Sequence, residues 1–331
     1  MSSIKTLTLD LTEPVTISRT ASAIVFEGPR RLSQRQVSLV SRGAGEVLVR
    51  TLYSGISTGT ERLFYSGEMP NFPGMGYPLV PGYETVGEVL QAEPHSGLSA
   101  GDRVFVPGAN CYSDVRGLFG GASSLLYTAA HRVIRVDAAL GEDAVLFALA
   151  ATAYHAIRPS AQAPLPDLIV GHGALGRLLA RITVALGGAP RVWETRSERR
   201  EAGQGYTVCD PVEDSGRRFA TIVDASGHGP ALETWITHLA PRGELVLAGF
   251  YTQALGFNFV PAFLREIRLR VAAQWLPQDL EAVRALVASG SLSLAGIVNC
   301  REPIHAADGA YRQAFEDPAC LKMVLDWSKI Q

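Results

Sequence analysis

Residues 168–176 read Leu-Ile-Val-Gly-His-Gly-Ala-Leu-Gly, and this stretch decides the fold. A short apolar run enters a glycine-rich turn, after which residues 175–186 repeat apolar side chains with helical periodicity. Such a turn between a strand and an amphipathic helix is the pattern of a dinucleotide-binding site. Gly171 allows the tight turn, Gly173 lets the backbone approach a pyrophosphate, and Gly176 lets the helix pack closely on the strand.

The start of the predicted helix, at Ala174 and Leu175, completes the expected cofactor contacts, because the first N–H groups of a helix bind phosphate oxygens. Glu194 ends the next predicted strand, about 20 residues further on, where a carboxylate binds the ribose 2′-hydroxyl. A carboxylate there repels a 2′-phosphate, so we predict NAD as the cofactor. The arginines that follow would suit a 2′-phosphate, but we interpret them as an exposed helix start: Arg196, Arg199 and Arg200.

Beyond this turn the chain alternates between strand and helix patterns. Short apolar runs predict buried strands at 191–194, 207–209, 222–224 and 245–248. Amphipathic stretches predict covering helices at 232–240 and 280–288. This alternation indicates an α/β domain with a doubly wound parallel sheet and right-handed crossovers.

The chain before residue 150 shows strand patterns and turns without the strand–helix alternation. Short runs rich in Val, Leu and Phe, bounded by Gly or Pro, predict strands at 23–26, 46–53, 85–90 and 103–107, with an irregular segment at 64–83. Alternating Leu7, Leu9 and Leu11 also suggest a strand. The last 40 or so residues read as strand, helix and strand, and we expect them to return to the first domain. The predicted division is a β-rich domain at 1–155, a cofactor domain at 156–290 and the return at 291–331.

Composition narrows the class of protein. The 331 residues exceed one ordinary core, and 47% apolar with 19% charged residues suits a globular protein. The formal net charge of −2 and the lack of a basic block make nucleic acid an unexpected partner. The longest apolar stretch, 144–157, is too short to span a bilayer. The four cysteines are scattered along the chain, which indicates reduced thiols and a cytoplasmic protein: Cys111, Cys209, Cys300 and Cys320. An apolar substrate can still bring such a protein to a membrane surface.

Several strings resemble the medium-chain dehydrogenase/reductase superfamily over nearly the whole chain. Residues 81–87 (P-G-Y-E-T-V-G) are similar to its P-G-H-E-x-x-G segment, and 101–104 (G-D-R-V) to its G-D-x-V turn. Residues 152–154 (T-A-Y) and 223–227 (V-D-A-S-G) are similar to two strings of its cofactor domain. The resemblance implies a GroES-like β-rich catalytic domain followed by a Rossmann domain. It also adds Thr152 and Ser226 to the expected cofactor contacts.

The zinc ligands of that superfamily are missing. Ser57 stands where zinc-dependent members have a cysteine, in G-I-S-T-G-T-E instead of G-I-C-G-T-D, and Tyr83 replaces the histidine of P-G-H-E. The third ligand would fall within 147–151, where no side chain can bind zinc. The four-cysteine structural lobe is reduced to Cys111. Zinc requires three or four thiolate, imidazole or carboxylate ligands, so we predict no metal.

A narrower resemblance covers residues 54–62 and 69–84, which are similar to the dehydrogenases of hydroxyethyl bacteriochlorophyllides. That group oxidises the 3-(1-hydroxyethyl) side chain of the macrocycle to an acetyl group with NAD during bacteriochlorophyll synthesis. The resemblance therefore implies a tetrapyrrole substrate. The residues by themselves indicate a zinc-free NAD-dependent dehydrogenase.

Oxidation of an alcohol without zinc requires a group that accepts the hydroxyl proton while the hydride leaves. We expect Tyr83, helped by Ser57 or Thr58, to position the substrate hydroxyl and to pass its proton outward. Glu84 and His155 are further candidates for acid–base work, although a structural role is the simpler interpretation of both. Thr60 is a possible hydrogen-bond partner or relay.

The irregular segment before Tyr83 is rich in large apolar side chains that suit a flat ligand: Phe64, Tyr65, Phe72, Met75 and Tyr77. Arg62 is a candidate partner for a substrate propionate. The alternative interpretation is a loop that packs over the core, with an exposed arginine.

Two other functions remain open from the sequence. A zinc-free quinone or enoyl reductase would use NADPH, which Glu194 disfavours. A non-catalytic carrier or sensor would keep the fold and bind NAD or pigment without turnover. Members of the superfamily are commonly dimers, and we expect a homodimer in which residues 245–250 and 269–273 supply the edge of the cofactor-domain sheet.

Overall fold

The computed structural model describes residues 18–41, 43–158, 160, 162–201 and 203–329. The strand suggested by Leu7, Leu9 and Leu11 lies outside these residues. No helix in the described ranges is long and apolar enough to cross a membrane.

The first part of the chain is β-rich. Its strands are β1 (Ser18–Gly28), β2 (Arg31–Val40), β3 (Glu46–Ile56), β4 (Leu79–Val80), β5 (Thr85–Ala92), β6 (Arg103–Val106), β7 (Arg116–Gly117), β8 (Leu125–Ala129) and β9 (Ile134–Arg135). One sheet has the order β2-β1-β4-β7, and β3, β5, β6, β8 and β9 belong to a second sheet. Inward-facing side chains from both sheets, including Phe26, Leu39, Val49 and Leu126, form a shared apolar core.

The cofactor part follows the predicted alternation. Its strands are β10 (Leu168–Val170), β11 (Arg191–Trp193), β12 (Thr207–Cys209), β13 (Phe219–Asp224), β14 (Leu239–Leu247) and β15 (Arg268–Val271). Among the described residues these six strands form a sheet of order β12-β11-β10-β13-β14-β15, with every neighbouring pair parallel. The order reverses direction beside β10, and ligands of such sheets bind at that switch point.

The remaining elements are helices and two late strands. The helices are α1 (Thr60–Ser66), α2 (Phe147–Ile157), α3 (Ala174–Ala185), α4 (Leu232–His238), α5 (Phe259–Arg265), α6 (Pro277–Ala288) and α7 (Ala307–Glu316), and the late strands are β16 (Cys300–Pro303) and β17 (Met323–Asp326). Short 3-10 segments lie at Ala130–Arg132, Ala138–Leu146, Ser197–Arg199, Pro211–Asp214, Gly229–Ala231 and Ile304–Ala306. Strand β17 pairs antiparallel with β3, so the C-terminal segment joins the second β-rich sheet.

Helix α2 joins the two parts of the molecule. It packs against α3 and α6, and its first residue, Phe147, stacks at 5.9 Å on Phe105 of β6. The predicted boundary between residues 155 and 156 falls inside this helix. Since the same apolar cluster contains Val86 of β5 and Ile169 of β10, the core is continuous across the junction.

Three predictions of local structure were wrong. The helix predicted at 232–240 ends at His238, because the buried Leu239 is extended and begins β14. The irregular segment at 64–83 begins inside α1, which runs to Ser66. The predicted dimer edge at 245–250 lies inside the sheet, because β15 covers β14 on its outer side.

Candidate active site

The glycine turn after β10 has the geometry that its sequence predicts. Gly171 has φ +96°, a left-handed conformation that favours glycine. A Cβ on Gly176 would lie 1.8 Å from the Gly171 carbonyl oxygen, so the close approach of helix to turn excludes a side chain there. A Cβ on Gly173 would have its nearest neighbour at 3.7 Å, a guanidinium nitrogen of Arg199. The backbone therefore excludes a side chain at Gly176, whereas at Gly173 a methyl group would meet only the Arg199 guanidinium at van der Waals distance.

Glu194 lies directly against this turn. One carboxylate oxygen accepts the backbone N–H of His172 at 2.9 Å, and the other accepts the N–H of Arg196 at 2.9 Å. The side chain is 7% exposed. These two bonds fix the carboxylate at the end of β11, while each oxygen keeps a second lone pair for a ligand hydroxyl.

His172, the residue between Gly171 and Gly173, stabilises the outer side of the turn. Its imidazole is fully buried between the Arg199 carbonyl oxygen at 2.6 Å and the Tyr206 hydroxyl at 2.9 Å. Burial lowers the pKa of the imidazole, which favours its neutral form. The spacing of a fingerprint carries no signal for this role, because the contacts come from residues beyond Glu194.

The arginines after Glu194 do not begin an α-helix as expected. Ser197–Arg199 forms a single 3-10 turn. The Arg199 guanidinium is half-buried and donates to the carbonyl oxygen of Pro318, in the loop between α7 and β17, at 3.0 Å from Nε. Arg199 therefore links the cofactor part to the C-terminal return.

The Val-Asp-Ala-Ser-Gly turn after β13 lies beside the glycine turn. The Ser226 backbone nitrogen is 3.3 Å from the position that a Cβ on Gly171 would take. Asp224 is fully buried and accepts bonds from the Ser226 amide and hydroxyl, the Gly227 amide and the Tyr251 hydroxyl. Thr152 lies on α2, and its hydroxyl donates to the Ala148 carbonyl of its own helix at 3.0 Å.

Ser57 and Tyr83 meet at the positions where the superfamily has two zinc ligands. Their hydroxyl oxygens are 2.7 Å apart. The Thr60 hydroxyl is also a hydrogen-bond partner of Tyr83, and Thr58 is half-buried in the turn after Ser57. Burial first, and the charge of Glu84 second, raise the pKa of the Tyr83 hydroxyl far above its ordinary value. Tyr83 therefore keeps its proton and can donate a hydrogen bond.

Glu84 points away from this pair. Both its carboxylate oxygens accept from the ammonium group of Lys322, at 2.9 and 2.7 Å, and Lys322 also donates to the Ile56 carbonyl at 3.2 Å. Glu84 is 0% and Lys322 3% exposed. Both carboxylate oxygens are engaged in a buried ion pair, which fits the structural interpretation of Glu84, while acid–base work by this residue stays a prediction. The sequence analysis missed Lys322, which follows Glu84 by 238 positions.

Glu61, the first acidic residue of α1, lies behind Ser57. One carboxyl oxygen accepts the Ser57 backbone N–H at 3.1 Å, and the other is 3.0 Å from the Tyr311 hydroxyl of α7. The side chain is 1% exposed. Burial raises the pKa of the Glu61 carboxyl to about 8. The sequence analysis quoted this residue in its motif but gave it no role.

His155 lies apart from the hydroxyl pair. Its Nδ1 is 2.8 Å from a carboxylate oxygen of Asp279, which also accepts the Leu276 backbone N–H at the start of α6. In the described part of the chain no bond joins His155 to Ser57 or Tyr83. His155 therefore joins α2 to α6, which fits its structural interpretation, while acid–base work by His155 stays a prediction.

A chain of aromatic rings leads up to Tyr83. Phe64 contacts Phe72 at 5.9 Å between ring centroids, Phe72 contacts Phe119 at 6.1 Å, and Phe119 contacts Tyr83 at 5.4 Å. Phe64 is fully buried and packs against Phe72. Phe119 also contacts Phe72 and Tyr83, and it was not among the residues predicted for a substrate wall because it lies in a distant loop. The substrate contacts of these rings stay a prediction.

The other side chains predicted to contact the substrate lie outside this chain of ring contacts. Met75 and Tyr77 are half-buried, and the Tyr77 hydroxyl donates to the Phe64 carbonyl oxygen. Tyr65 packs inward against Phe26 at 5.5 Å. Arg62 is exposed on α1.

The residues present do not fit zinc. The groups at the two main ligand positions are hydroxyls that bond to each other, whereas protein zinc sites use thiolate, imidazole or carboxylate. Across the described ranges, no cluster of three or more His, Cys, Asp or Glu side chains is arranged to hold a metal ion.

Comparison with known proteins identifies the class. The alcohol dehydrogenase GroES-like domain family matches residues 43–138. An alcohol dehydrogenase of Escherichia coli CFT073 complexed with NADH superposes with a TM-score of 0.77 at 20% identity, covering 93% of this chain and 99% of that one. A protein of Sinorhizobium meliloti 1021 bound to NADP gives 0.76 at 17% identity, covering 93% and 99%. The fold is that of the medium-chain dehydrogenases, as predicted.

Two curated relatives are much more similar. The 2-desacetyl-2-hydroxyethyl bacteriochlorophyllide A dehydrogenase of Cereibacter sphaeroides is 53% identical over 312 residues, covering 92% of this chain and 98% of the relative. The protein of the same name from Rhodobacter capsulatus is 56% identical over 306 residues, covering 92% and 97%. The chain belongs to the family that these two dehydrogenases represent, within the medium-chain dehydrogenase/reductase superfamily.

Proposed function

We propose that this protein oxidises the 3-(1-hydroxyethyl) side chain of a bacteriochlorophyllide-type tetrapyrrole to the acetyl group, transferring the hydride to NAD without a metal. The similarity to two dehydrogenases of that name, at 53% and 56% identity over 92% of the chain, carries the proposal. The paired hydroxyls of Ser57 and Tyr83 support it, because they supply hydrogen-bonding groups where related enzymes use zinc ligands.

The glycine turn and Glu194 fit a nicotinamide dinucleotide. The backbone at Gly173 and the first N–H groups of α3 would hold the pyrophosphate, and Glu194 would accept a hydrogen bond from the ribose 2′-hydroxyl. We propose NAD over NADP, because a buried carboxylate fixed by two backbone amides repels a 2′-phosphate. The bound nicotinamide ring supplies the hydride acceptor.

The hydroxyl pair binds the reacting alcohol. Tyr83 and Ser57 donate to and accept from the substrate oxygen, which aligns the C–H bond with the cofactor. The carbon loses a hydride, and the oxygen loses a proton into the hydrogen-bonded hydroxyls. Since the ketone that forms joins the conjugated macrocycle, the reaction does not need the pKa depression that zinc supplies.

The aromatic side chains beside Tyr83 suit a flat apolar substrate. Phe72 and Phe119 form the wall nearest the hydroxyl pair, with Met75 and Tyr77 further along the same segment. Arg62 is exposed at α1, where it pairs with a propionate carboxylate of the pigment. We propose a cytoplasmic enzyme that reaches a membrane surface through this apolar substrate.

A single assay tests the function. Purified protein is mixed with NAD, a 3-(1-hydroxyethyl) bacteriochlorophyllide and a metal chelator, and NADH and the pigment spectrum are followed together. We expect both to change in step, with no loss of rate at any chelator concentration. A 3-vinyl pigment, which lacks the hydroxyl, is the matched control and should give no NADH.

Other outcomes would contradict the proposal. NAD and pigment binding without NADH formation would indicate a carrier. Reduction of a quinone by NADPH, without oxidation of the pigment, would indicate a reductase. A rate that falls with chelator and recovers with zinc would refute the metal-free chemistry.

A further inference from the structure

Two carboxyl groups and one ammonium group are buried together behind the hydroxyl pair. Glu61 is 1%, Glu84 0% and Lys322 3% exposed. Lys322 bonds to both oxygens of Glu84, at 2.9 and 2.7 Å. Glu84 and Lys322 therefore neutralise each other, and within the described ranges no basic side chain pairs with Glu61.

An unpaired carboxylate is costly in such a place, so Glu61 binds a proton more readily than an ordinary glutamate. Burial is the main cause of its raised pKa, about 8, and the charge of Glu84 adds to the rise. The Ser57 amide, the Tyr311 hydroxyl and Lys322 act in the opposite direction. These groups come from the β3–α1 turn, from α7, and from the residues directly before β5 and β17.

Glu61 contacts the hydroxyl pair through Ser57. Its carboxyl oxygen lies 3.1 Å from the Ser57 backbone nitrogen, and the Ser57 hydroxyl lies 2.7 Å from that of Tyr83. A serine Oγ in a staggered rotamer gauche to its own amide stays within about 3 Å of that nitrogen. The structure bonds the Ser57 hydroxyl to Tyr83 and the Ser57 amide to Glu61. A rotation of Ser57 about χ1 would turn the hydroxyl from Tyr83 toward the Glu61 carboxyl, and the proposal includes this rotation.

We propose that Glu61 is the proton acceptor of the dehydrogenase reaction, acting through Ser57 without touching the substrate. This inference rests on the proposed function. The alcohol carbon gives its hydride to NAD, the alcohol proton moves to Tyr83, the Tyr83 proton to Ser57, and the Ser57 proton to the Glu61 carboxylate. The products are the ketone, NADH and a neutral Glu61 carboxyl. Because Glu61 is 1% exposed, the proposal has its proton leave through Ser57 and Tyr83 before the next turnover.

The proposal predicts the pH dependence of the reaction. Glu61 accepts a proton when it is ionised, so kcat/KM for alcohol oxidation should rise with pH through about 8 and then level off. Glu61→Gln should remove this inflection and lower the plateau by about 100-fold, with NAD affinity unchanged. Tyr311→Phe removes a bond that lowers the Glu61 pKa, so its inflection should move to higher pH. Glu88→Gln, in a surface ion pair with Arg50, should leave the profile unchanged.

Thermal stability provides a readout that does not depend on turnover. Because the folded protein holds the Glu61 proton more tightly than the unfolded chain, stability should fall as pH rises from about 4.5 to about 8. Glu61→Gln should lose this part of the decline. If the Tm curves of wild type and Glu61→Gln are parallel across that range, the inference is overturned.

The two proposals fail in different ways. If wild type forms no NADH from the pigment at any pH, the proposed function fails, and the Tm comparison alone decides whether Glu61 titrates. If wild type turns over and Glu61→Gln keeps both its rate and its inflection, the function stands and the role of Glu61 is refuted.

Discussion

Ser57 and Tyr83 are hydroxyl residues at positions where related enzymes use a thiolate and an imidazole. Their oxygens are 2.7 Å apart and are joined by one hydrogen bond. Thr60 is a further hydrogen-bond partner of Tyr83. Hydroxyls exchange donor and acceptor roles by rotation, whereas zinc ligands stay fixed. We therefore propose that the replacement substitutes a proton relay for a Lewis acid.

The first prediction concerns the Tyr83 hydroxyl. Tyr83→Phe keeps the ring that packs at 5.4 Å on Phe119 but removes the partner of Ser57. We expect kcat/KM for pigment oxidation to fall by about 100-fold, because positioned proton transfer contributes about that much. NAD affinity and Tm should change little. Steady-state kinetics and a fluorescence titration with NADH measure both effects.

Tyr127→Phe is the matched control for that variant. The Tyr127 hydroxyl is buried, and within the described ranges it has no hydrogen-bond partner. Its removal should leave turnover unchanged. Full activity in Tyr83→Phe would contradict a role for the Tyr83 hydroxyl.

At the scale of elements, two glycines of the turn between β10 and α3 differ in how much room their surroundings leave for a side chain. A Cβ on Gly176 would lie 1.8 Å from the Gly171 carbonyl oxygen, whereas a Cβ on Gly173 would meet only the Arg199 guanidinium, at 3.7 Å. The fold therefore requires glycine at Gly176, and we propose that pyrophosphate binding requires it at Gly173.

This difference gives the second prediction. Gly176→Ala should destabilise the protein by about 1–3 kcal/mol, because backbone must move to admit the methyl group. Gly173→Ala should keep the wild-type Tm but weaken NAD binding by about tenfold, a change of about 1.4 kcal/mol. Thermal unfolding and NADH titration separate the two effects. Unchanged NAD affinity in Gly173→Ala would place the pyrophosphate elsewhere.

Local patterns predicted the elements around this unit well and their ends less well. Helix α4 ends two residues before the predicted position, since Leu239 is drawn into β14 by its neighbours in the sheet. Periodicity reports which face of a segment is buried. The end of a helix depends on which partner strand the next residue meets.

For the whole molecule, the outer edge of the cofactor sheet leaves a large apolar surface exposed. Strand β15 is the edge strand, and α5 lies beside it in the chain. Five side chains of these two elements are between 42% and 71% exposed: Phe259, Phe263, Leu264, Leu269 and Val271. We propose that a second copy of this chain covers it about a two-fold axis, because an unpaired strand edge and an apolar patch are both self-complementary.

Sedimentation velocity tests this assembly. We expect wild type at twice the 35.4 kDa chain mass, and Val271→Lys to shift it toward monomer by placing a charge on the edge strand. Val212→Lys, at a 79% exposed position outside the patch, is the control and should leave the dimer intact. A wild-type protein that sediments as a monomer at micromolar concentration would refute the dimer.

The amino-acid sequence determined the features that depend on neighbouring residues. The fingerprint of Gly171, Gly173 and Gly176, the strand that carries Glu194, and the exchange of zinc ligands for Ser57 and Tyr83 are all legible in short segments. Local backbone requirements and side-chain chemistry fix these features without reference to the rest of the chain. The alternation of strands and helices likewise predicted the parallel sheet.

Only the tertiary structure decided what surrounds the hydroxyl pair. Lys322 neutralises Glu84 from 238 positions away, and Tyr311 reaches Glu61 across 250 positions. Both come from the C-terminal return, whose β17 pairs with β3. A buried carboxyl depends on the charges and donors that folding brings to it, and residue spacing does not specify them. The sequence therefore established the class of reaction. Only the fold determines which charged groups and hydrogen-bond donors surround Glu61 and Glu84, and so how readily each binds a proton.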